Sequence, residues 1–173
     1  MEQNIAHISP EIWKEVNKEL IKKAISEFAH ELIITPILIE KNKEWATYSI
    51  PTDSKKTSYS FRAQKFHLDH WHIDINSLEK KTNNSIVPID ALHFIVEFKD
   101  TLGIPDTLLA TYLEEITSTL LSAAYKKKYR KFTASELAHS DFQEVEHAMT
   151  EGHPCFVANN GRIGFNIDDY HNY

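Results

Sequence analysis

Apolar residues recur at Ile12, Val16, Leu20, Ala24 and Phe28, one stripe of a helix running to about Ala29 or His30, with Lys and Glu on the other face. Ser9-Pro10-Glu11 supplies its start: a hydroxyl N-cap, a proline at the first helical position and an acid at the positive helix end. From Leu32 the period shortens. Three β-rich runs, Leu32 to Glu40, Glu44 to Ile50 and Ser58 to Ile75, are separated by Lys41-Asn42-Lys43 and Pro51-Thr52-Asp53-Ser54, which read as hairpin turns. In the third run the parity of apolar positions changes between Lys65 and Asp69, so a bulge, a bend or two separate strands are all open. An antiparallel meander is the simplest arrangement.

The polar stretch Glu79 to Ser85 breaks the pattern, and the helical period then returns. Asp90 can cap a helix carrying Leu92, Ile95, Phe98 and Leu102, with Gly103 as its stop. Pro105 opens a longer helix through Leu108 or Leu109, Tyr112, Leu113, Ile116, Leu120 and Ala124, ending in the basic run Lys126 to Lys131. That run complements the negative helix end and is expected to be solvated. Thr133-Ala134-Ser135-Glu136 has capping-box spacing and predicts a helix through Leu137, Phe142, Val145 and Met149, closed by Gly152. Without repeat or linker, the pattern predicts an α+β fold, a small antiparallel sheet packed with helices.

Composition narrows the function classes. A chain of 173 residues is the size of one domain, and 42% hydrophobic residues with 4 Gly and 6 Pro exclude a disordered or collagen-like chain. A net charge of −6 disfavours nonspecific binding to nucleic acid or to an anionic membrane. No apolar run approaches the ~20 residues that span a bilayer, and the N-terminus lacks the basic-then-apolar order of a signal peptide. A single cysteine, Cys155, forms no internal disulfide. A cytoplasmic protein is expected, with a small molecule or another protein as its partner.

The chemistry concentrates after Gly152. Gly152-His153-Pro154 and Asn159-Asn160-Gly161-Arg162 combine a guanidinium fork, amide donors and glycines that let backbone N–H groups approach an anion. The same residues also fit a hairpin turn between Phe156-Val157-Ala158 and Ile163-Gly164-Phe165, with Arg162 solvated. A nucleophilic role for Cys155 lacks a visible base, so a packed small side chain is expected. His70 and His72 share a strand face near His67, yet no carboxylate or further ligand at helical spacing joins them, and no metal site is assigned. Trp13, Trp45 and Trp71 read as core or half-core aromatics.

The run Glu146-His147-Ala148-Met149-Thr150-Glu151-Gly152-His153-Pro154, leading into Arg162-Ile163-Gly164-Phe165, resembles the N-terminal signature of the siderophore synthetases that act independently of nonribosomal peptide synthetases, the aerobactin-synthetase (IucA/IucC) family. Many members carry a second His and a Lys in the spacer. Here Phe156-Val157-Ala158-Asn159-Asn160 stands instead, as does Ala138-His139-Ser140-Asp141-Phe142 upstream, and both are similar to the branch that makes alcaligin, bisucaberin and desferrioxamine. The resemblance implies a cupped-hand enzyme, much longer than this chain, of which residues 1–150 form a thumb-like N-terminal α+β domain and residues 151–173 begin the nucleotide-binding loop region.

It also implies ATP and Mg²⁺, the metal ligands lying outside this chain. A hydroxamate-bearing acid would be adenylated and condensed with an amine, and the whole enzyme would be a homodimer. Thr150, Gly152, His153, Asn159, Asn160 and Arg162 carry over by position as nucleotide-binding residues, with His153 and Arg162 as the catalytic pair. A free-standing anion-binding or protein-interaction domain that kept the loop is the alternative.

Overall fold

The computed structural model describes residues 7–129, 132–148, 152–153, 155–165 and 168–169. Helix α1 (Pro10–His30) is followed by five strands, β1 (Ile37–Lys41), β2 (Ala46–Pro51), β3 (Thr57–Lys65), β4 (Trp71–Thr82) and β5 (Ser85–Val87). Four helices complete the order: α2 (Ala91–Glu97), α3 (Asp106–Tyr129), α4 (Ala134–Leu137) and α5 (Phe142–Ala148). The strands form one antiparallel sheet in the order β1-β2-β3-β4-β5, the expected meander. The chain divides into two compact units, 17–113, which holds the sheet, and 1–16 with 114–173. Among the described residues no helix is long and apolar enough to cross a membrane.

Local signals act where the sequence places them. Ser9 Oγ accepts the Ile12 N–H at 3.3 Å, capping α1. At its other end the Ile33 and Leu32 N–H groups turn back to the Phe28 and Ala29 carbonyls, with Leu32 at φ +59°. That turn, followed by Pro36, delays the first strand from the expected Leu32 to Ile37. The buried stripe of α1 is broader than the i, i+4 series, because Asn17, Ile21, Ile25 and Ala29 are buried beside Val16, Leu20 and Ala24. Asn17 earns its burial: its Oδ1 accepts the Ala91 N–H at 2.7 Å, and Asp90 caps the same helix by accepting the His93 N–H at 2.8 Å.

The core face of the sheet carries Ala46, Ile50, Tyr59, Phe61, Ala63 and Ile73, all buried. The break at Lys65 to Asp69 is a connection containing a short 3₁₀ turn (His67–Asp69), so the third run is two strands. The change of facing happens later. Between Asp74 and Glu79, β4 carries three more residues than β3 does between Ser60 and Arg62, and core positions pass from Ile73 to Leu78 and Lys80. Ser77 supports this bulge, its hydroxyl donating to the Asp74 carbonyl and accepting the Arg62 N–H.

Three sequence expectations are corrected. Glu79 to Ser85, expected as a polar break after the strands, completes β4 and turns into β5 through Asn83 and Asn84, both at positive φ as a two-residue hairpin requires. Lys80 made the stretch look solvent-borne, but it is 5% exposed, pairs with Glu97 at 2.7 Å and lies 5.6 Å from the Tyr59 ring. The helix from Thr133 is two short helices. Thr133 and Glu136 form the expected capping box, the Thr133 amide holding the Glu136 carboxyl below its usual range. Asp141 and Glu144 then form a second reciprocal pair that starts α5 and exposes Phe142. Met149 lies outside the described residues. Lastly, Cys155 is exposed rather than packed, because it stands on a turn of the terminal loop.

Helix α2 meets the sheet through rings and one polar network. Phe94 and Phe98 pack on Tyr59 at 5.1 and 5.9 Å between centroids. The Tyr59 hydroxyl donates to Glu97 at 2.7 Å, and burial, reinforced by that carboxylate, holds the phenol far above its ordinary range. Replacing Lys80 by Ala strands Glu97 beside a buried phenol and is expected to destabilise the chain by roughly 2 kcal/mol, discounted from a fully buried pair because Glu97 is a quarter exposed. The combined Lys80→Met and Glu97→Leu replacement should recover most of that loss. Urea unfolding followed by tryptophan fluorescence measures both, and equal losses in the two variants would contradict the network's role.

Candidate functional site

Within unit 1–16 with 114–173, the terminal loop closes on itself by contacts of its own backbone. The Gly152 N–H donates to Asn160 Oδ1 at 3.2 Å, and a methyl group on Gly152 would overlap the Asn159 carbonyl oxygen. Asn160 Nδ2 donates to Asn159 Oδ1, and Asn159 Nδ2 donates to the His153 carbonyl, both at 3.0 Å. The two amides expected to face a phosphate are therefore engaged in holding the loop closed. They bring Gly152 and His153 alongside Asn160 and Asn159, eight and six residues apart in sequence. Thr150 lies outside the described residues, as does Pro154.

His153 is exposed, and its Nδ1 accepts the Cys155 N–H at 3.3 Å, which fixes the tautomer with its proton on Nε2. The ring also packs against Phe156 at 4.7 Å, so the imidazole is oriented from two sides. Arg162 is exposed, its guanidinium 5.5 Å from the Phe165 ring, and the Phe165 N–H returns to the Arg162 carbonyl at 3.1 Å. No strand forms on either side of Asn160-Gly161; among the described residues the segment is turns and irregular backbone.

The seat of this loop is helix α3, which the sequence pattern did not single out. The Arg162 N–H donates to Ser118 Oγ at 2.6 Å. A Cβ on Gly161 would stand 3.2 Å from the Glu115 carbonyl and 3.3 Å from Thr119 Oγ1, so backbone meets helix without a side chain between them. Thr119 is 3% exposed and its hydroxyl has no hydrogen-bond partner among the described residues. Val157, 6% exposed, adds an apolar anchor. The available signal was the polar run Thr117-Ser118-Thr119 in the middle of an apolar helix, where hydroxyls that are not caps call for partners. Chemically, the assembly presents one exposed guanidinium on an anchored backbone, one oriented imidazole donor and a backbone held by glycines, a donor set suited to an anion.

A family model described as IucA / IucC family matches residues 141–173, the stretch that holds α5 and this loop. The chain is 45% identical over 165 residues to putrebactin synthase of a Shewanella species, covering 95% of this chain and 26% of that protein. It is 33% identical over 163 residues to the rhizobactin siderophore biosynthesis protein RhbF of Rhizobium meliloti, covering 94% of this chain and 26% of that one. Aerobactin synthetase IucC of Klebsiella pneumoniae shares the fold with a TM-score of 0.75 at 23% identity, over 93% of this chain and 28% of that structure. The petrobactin biosynthesis protein AsbB of Bacillus anthracis does so with a TM-score of 0.77 at 20% identity, over 98% and 28%. Fold and loop together match one part of proteins whose names mark them as siderophore synthetases. The chain is similar to an N-terminal portion of IucA/IucC-family proteins and spans about a quarter of the length of the curated relatives it matches.

Gly152→Ala is expected to open the loop, since the added methyl meets backbone that cannot move aside as a flexible side chain would. Ser118→Ala removes the hydroxyl that receives the Arg162 N–H and should loosen residues 161–165 alone. Amide hydrogen exchange reads both: about tenfold faster exchange at Arg162 in the serine variant corresponds to the loss of a hydrogen bond worth roughly 1–1.5 kcal/mol. Unchanged protection in either variant would contradict the closure described.

Proposed function

We propose that this chain supplies the first nucleotide-contacting loop of an ATP-dependent synthetase that adenylates the carboxylate of a hydroxamate building block and condenses it with an amine to form an amide. The observation that carries the reading is the seated loop with Arg162 and His153 outward, in the segment that the family model matches. The names of the putrebactin synthase and rhizobactin siderophore biosynthesis relatives support a siderophore product.

The donor set fits a triphosphate. ATP, with Mg²⁺ held mainly by residues outside this chain, would supply the adenylyl group that turns a carboxylate into an acyl donor, pyrophosphate being released. The chain's own residues bind and orient. Arg162 offers two parallel N–H donors to phosphate oxygens, and its guanidinium stabilises charge that grows as pyrophosphate departs. His153 donates from Nε2 to an oxygen of the phosphate chain or of the carboxylate. Gly152 and Gly161 keep the backbone close, while Asn159 and Asn160 act through the closed shape of the loop. Thr150 belongs to the same group by position. The amine, in its neutral form, attacks the acyl carbon later, forming the amide as the acyl–oxygen bond breaks, AMP leaves and the amine's proton passes to solvent, so these residues act before it arrives. The complete enzyme is read as a cytoplasmic homodimer.

Arg162→Ala in a synthetase carrying this segment is expected to lower acid-dependent ATP–pyrophosphate exchange by about tenfold or more, the equivalent of one charge-assisted contact. Exchange that survives while amide formation is lost would overturn the assignment. The 173-residue chain alone should bind Mg-ATP no better than about millimolar, because one guanidinium and a few neutral donors compete poorly with water after the cost of immobilising a ligand. Micromolar affinity by isothermal titration would instead favour a self-sufficient nucleotide-binding domain.

A further inference from the structure

Asn160-Gly161 is the one Asn-Gly step in the chain, and the structure fixes both of its residues for reasons of shape. Asn160 closes the loop: its Oδ1 accepts the Gly152 N–H and its Nδ2 donates to Asn159 Oδ1. Gly161 lies against α3, where a Cβ would stand 3.2 Å from the Glu115 carbonyl oxygen. A larger residue at 161 would push the backbone off its seat, so the loop cannot shed this dipeptide and keep its form.

An asparagine followed by glycine carries latent chemistry of its own. The backbone nitrogen of the following residue can attack the side-chain Cγ, and glycine, having no Cβ, hinders that approach least. Here the Gly161 N–H forms no hydrogen bond among the described residues, and Gly161 is exposed while Asn160 is half-buried. The nucleophile is therefore open to water, which can take its proton. What restrains the reaction is the electrophile. Cγ becomes tetrahedral on attack, which moves its oxygen and nitrogen together, and both are bonded in the closed loop.

We infer that Asn160 is a self-modification site gated by loop closure. When the loop opens, the Gly161 nitrogen gives up its proton and bonds to Asn160 Cγ. The bond from Cγ to the amide nitrogen breaks, and that nitrogen leaves as ammonia, the proton reaching it through solvent. Water then adds to either carbonyl of the cyclic imide and opens it, leaving aspartate or isoaspartate at position 160. Neither product recloses the loop. Aspartate presents an oxygen where Nδ2 had donated to Asn159 Oδ1, so two acceptors meet across the former 3.0 Å bond. Asn159 cannot reverse its amide to serve the carboxylate without giving up its bond to the His153 carbonyl. Isoaspartate adds a carbon to the main chain and carries the Arg162 N–H off Ser118. Opening is reversible and modification is not, so the loop records how long it has been open. The inference rests on closure and covalent chemistry and does not depend on the ligand read for the loop.

Incubation of the chain at mildly alkaline pH, in buffer and in urea, tests it. The readouts are mass spectrometry of the tryptic peptide that ends at Arg162 and enzymatic methylation of isoaspartate. Modification is expected to be fastest at Asn160 and at least about tenfold slower in buffer than in urea, since the reactive form must first give up a hydrogen-bonded closure. Asn159→Ala and Gly152→Ala, each read against its own rate in urea, should remove most of that protection. Amide exchange in the sheet should stay as in the parent chain, which separates local opening from failure to fold. The modified chain, isolated by ion exchange, should show fast amide exchange at Gly152 and Arg162. Equal rates in buffer and in urea, no modification at Asn160 in either, protection unchanged in both variants, or native exchange at Gly152 and Arg162 after modification would overturn the inference.

Discussion

The contact on which the terminal loop depends is the one between Gly152 and the Asn159 carbonyl, a backbone approach that no side chain could share. Closing the loop there sets the Gly152 N–H on Asn160 and lines up the amide-to-amide bond to Asn159 and on to the His153 carbonyl. Each bond holds the next donor in place. Preorganisation of this kind matters because a donor that must first be ordered spends its interaction on ordering, whereas one already fixed delivers it to the ligand. Gly161 repeats the device at the other end, trading a side chain for backbone contact with α3.

The sheet unit follows a different economy. Its core is apolar and aromatic except where Lys80, Glu97 and Tyr59 meet, and there a polar network is complete enough to stay buried. An ion pair in such a place adds little net stability over an apolar replacement of equal volume, yet it penalises alternatives strongly, because any register that separates Lys80 from Glu97 leaves a charge uncompensated. The bulge in β4 makes that selectivity useful. After it, a slip of one residue would turn Leu78 and Lys80 outward, and the network permits a single register.

How far the sequence was legible follows from which forces are local. The caps at Ser9, Asp90 and Thr133 and the turn at Lys41 to Lys43 were readable because each acts over three or four residues. Glu79 to Ser85 was misread because the partner that makes Lys80 a core residue, Glu97, stands on a helix seventeen positions away. The break between α4 and α5 was hidden by apolar residues at helical spacing; the second reciprocal pair, Asp141 with Glu144, outweighed them locally. At the loop, the residue types were legible and their roles were not. Asn159 and Asn160 look like ligand donors in one dimension and are loop struts in three, and Ser118 carries no motif at all.

The fold and the loop also tolerate divergence differently. A TM-score of 0.77 at 20% identity means that the architecture survives the replacement of most of its residues, as expected where helices and strands need apolar positions of suitable volume rather than particular side chains. The loop has no such freedom at its contacts. A glycine is required where backbone touches backbone, as at Gly152 against the Asn159 carbonyl. The family model matches 141–173, the stretch that holds these backbone contacts, while the seat on α3, which any small hydroxyl in the right place could provide, falls outside it. A seat specified only by geometry leaves little trace in sequence, although the position of Arg162 rests on it.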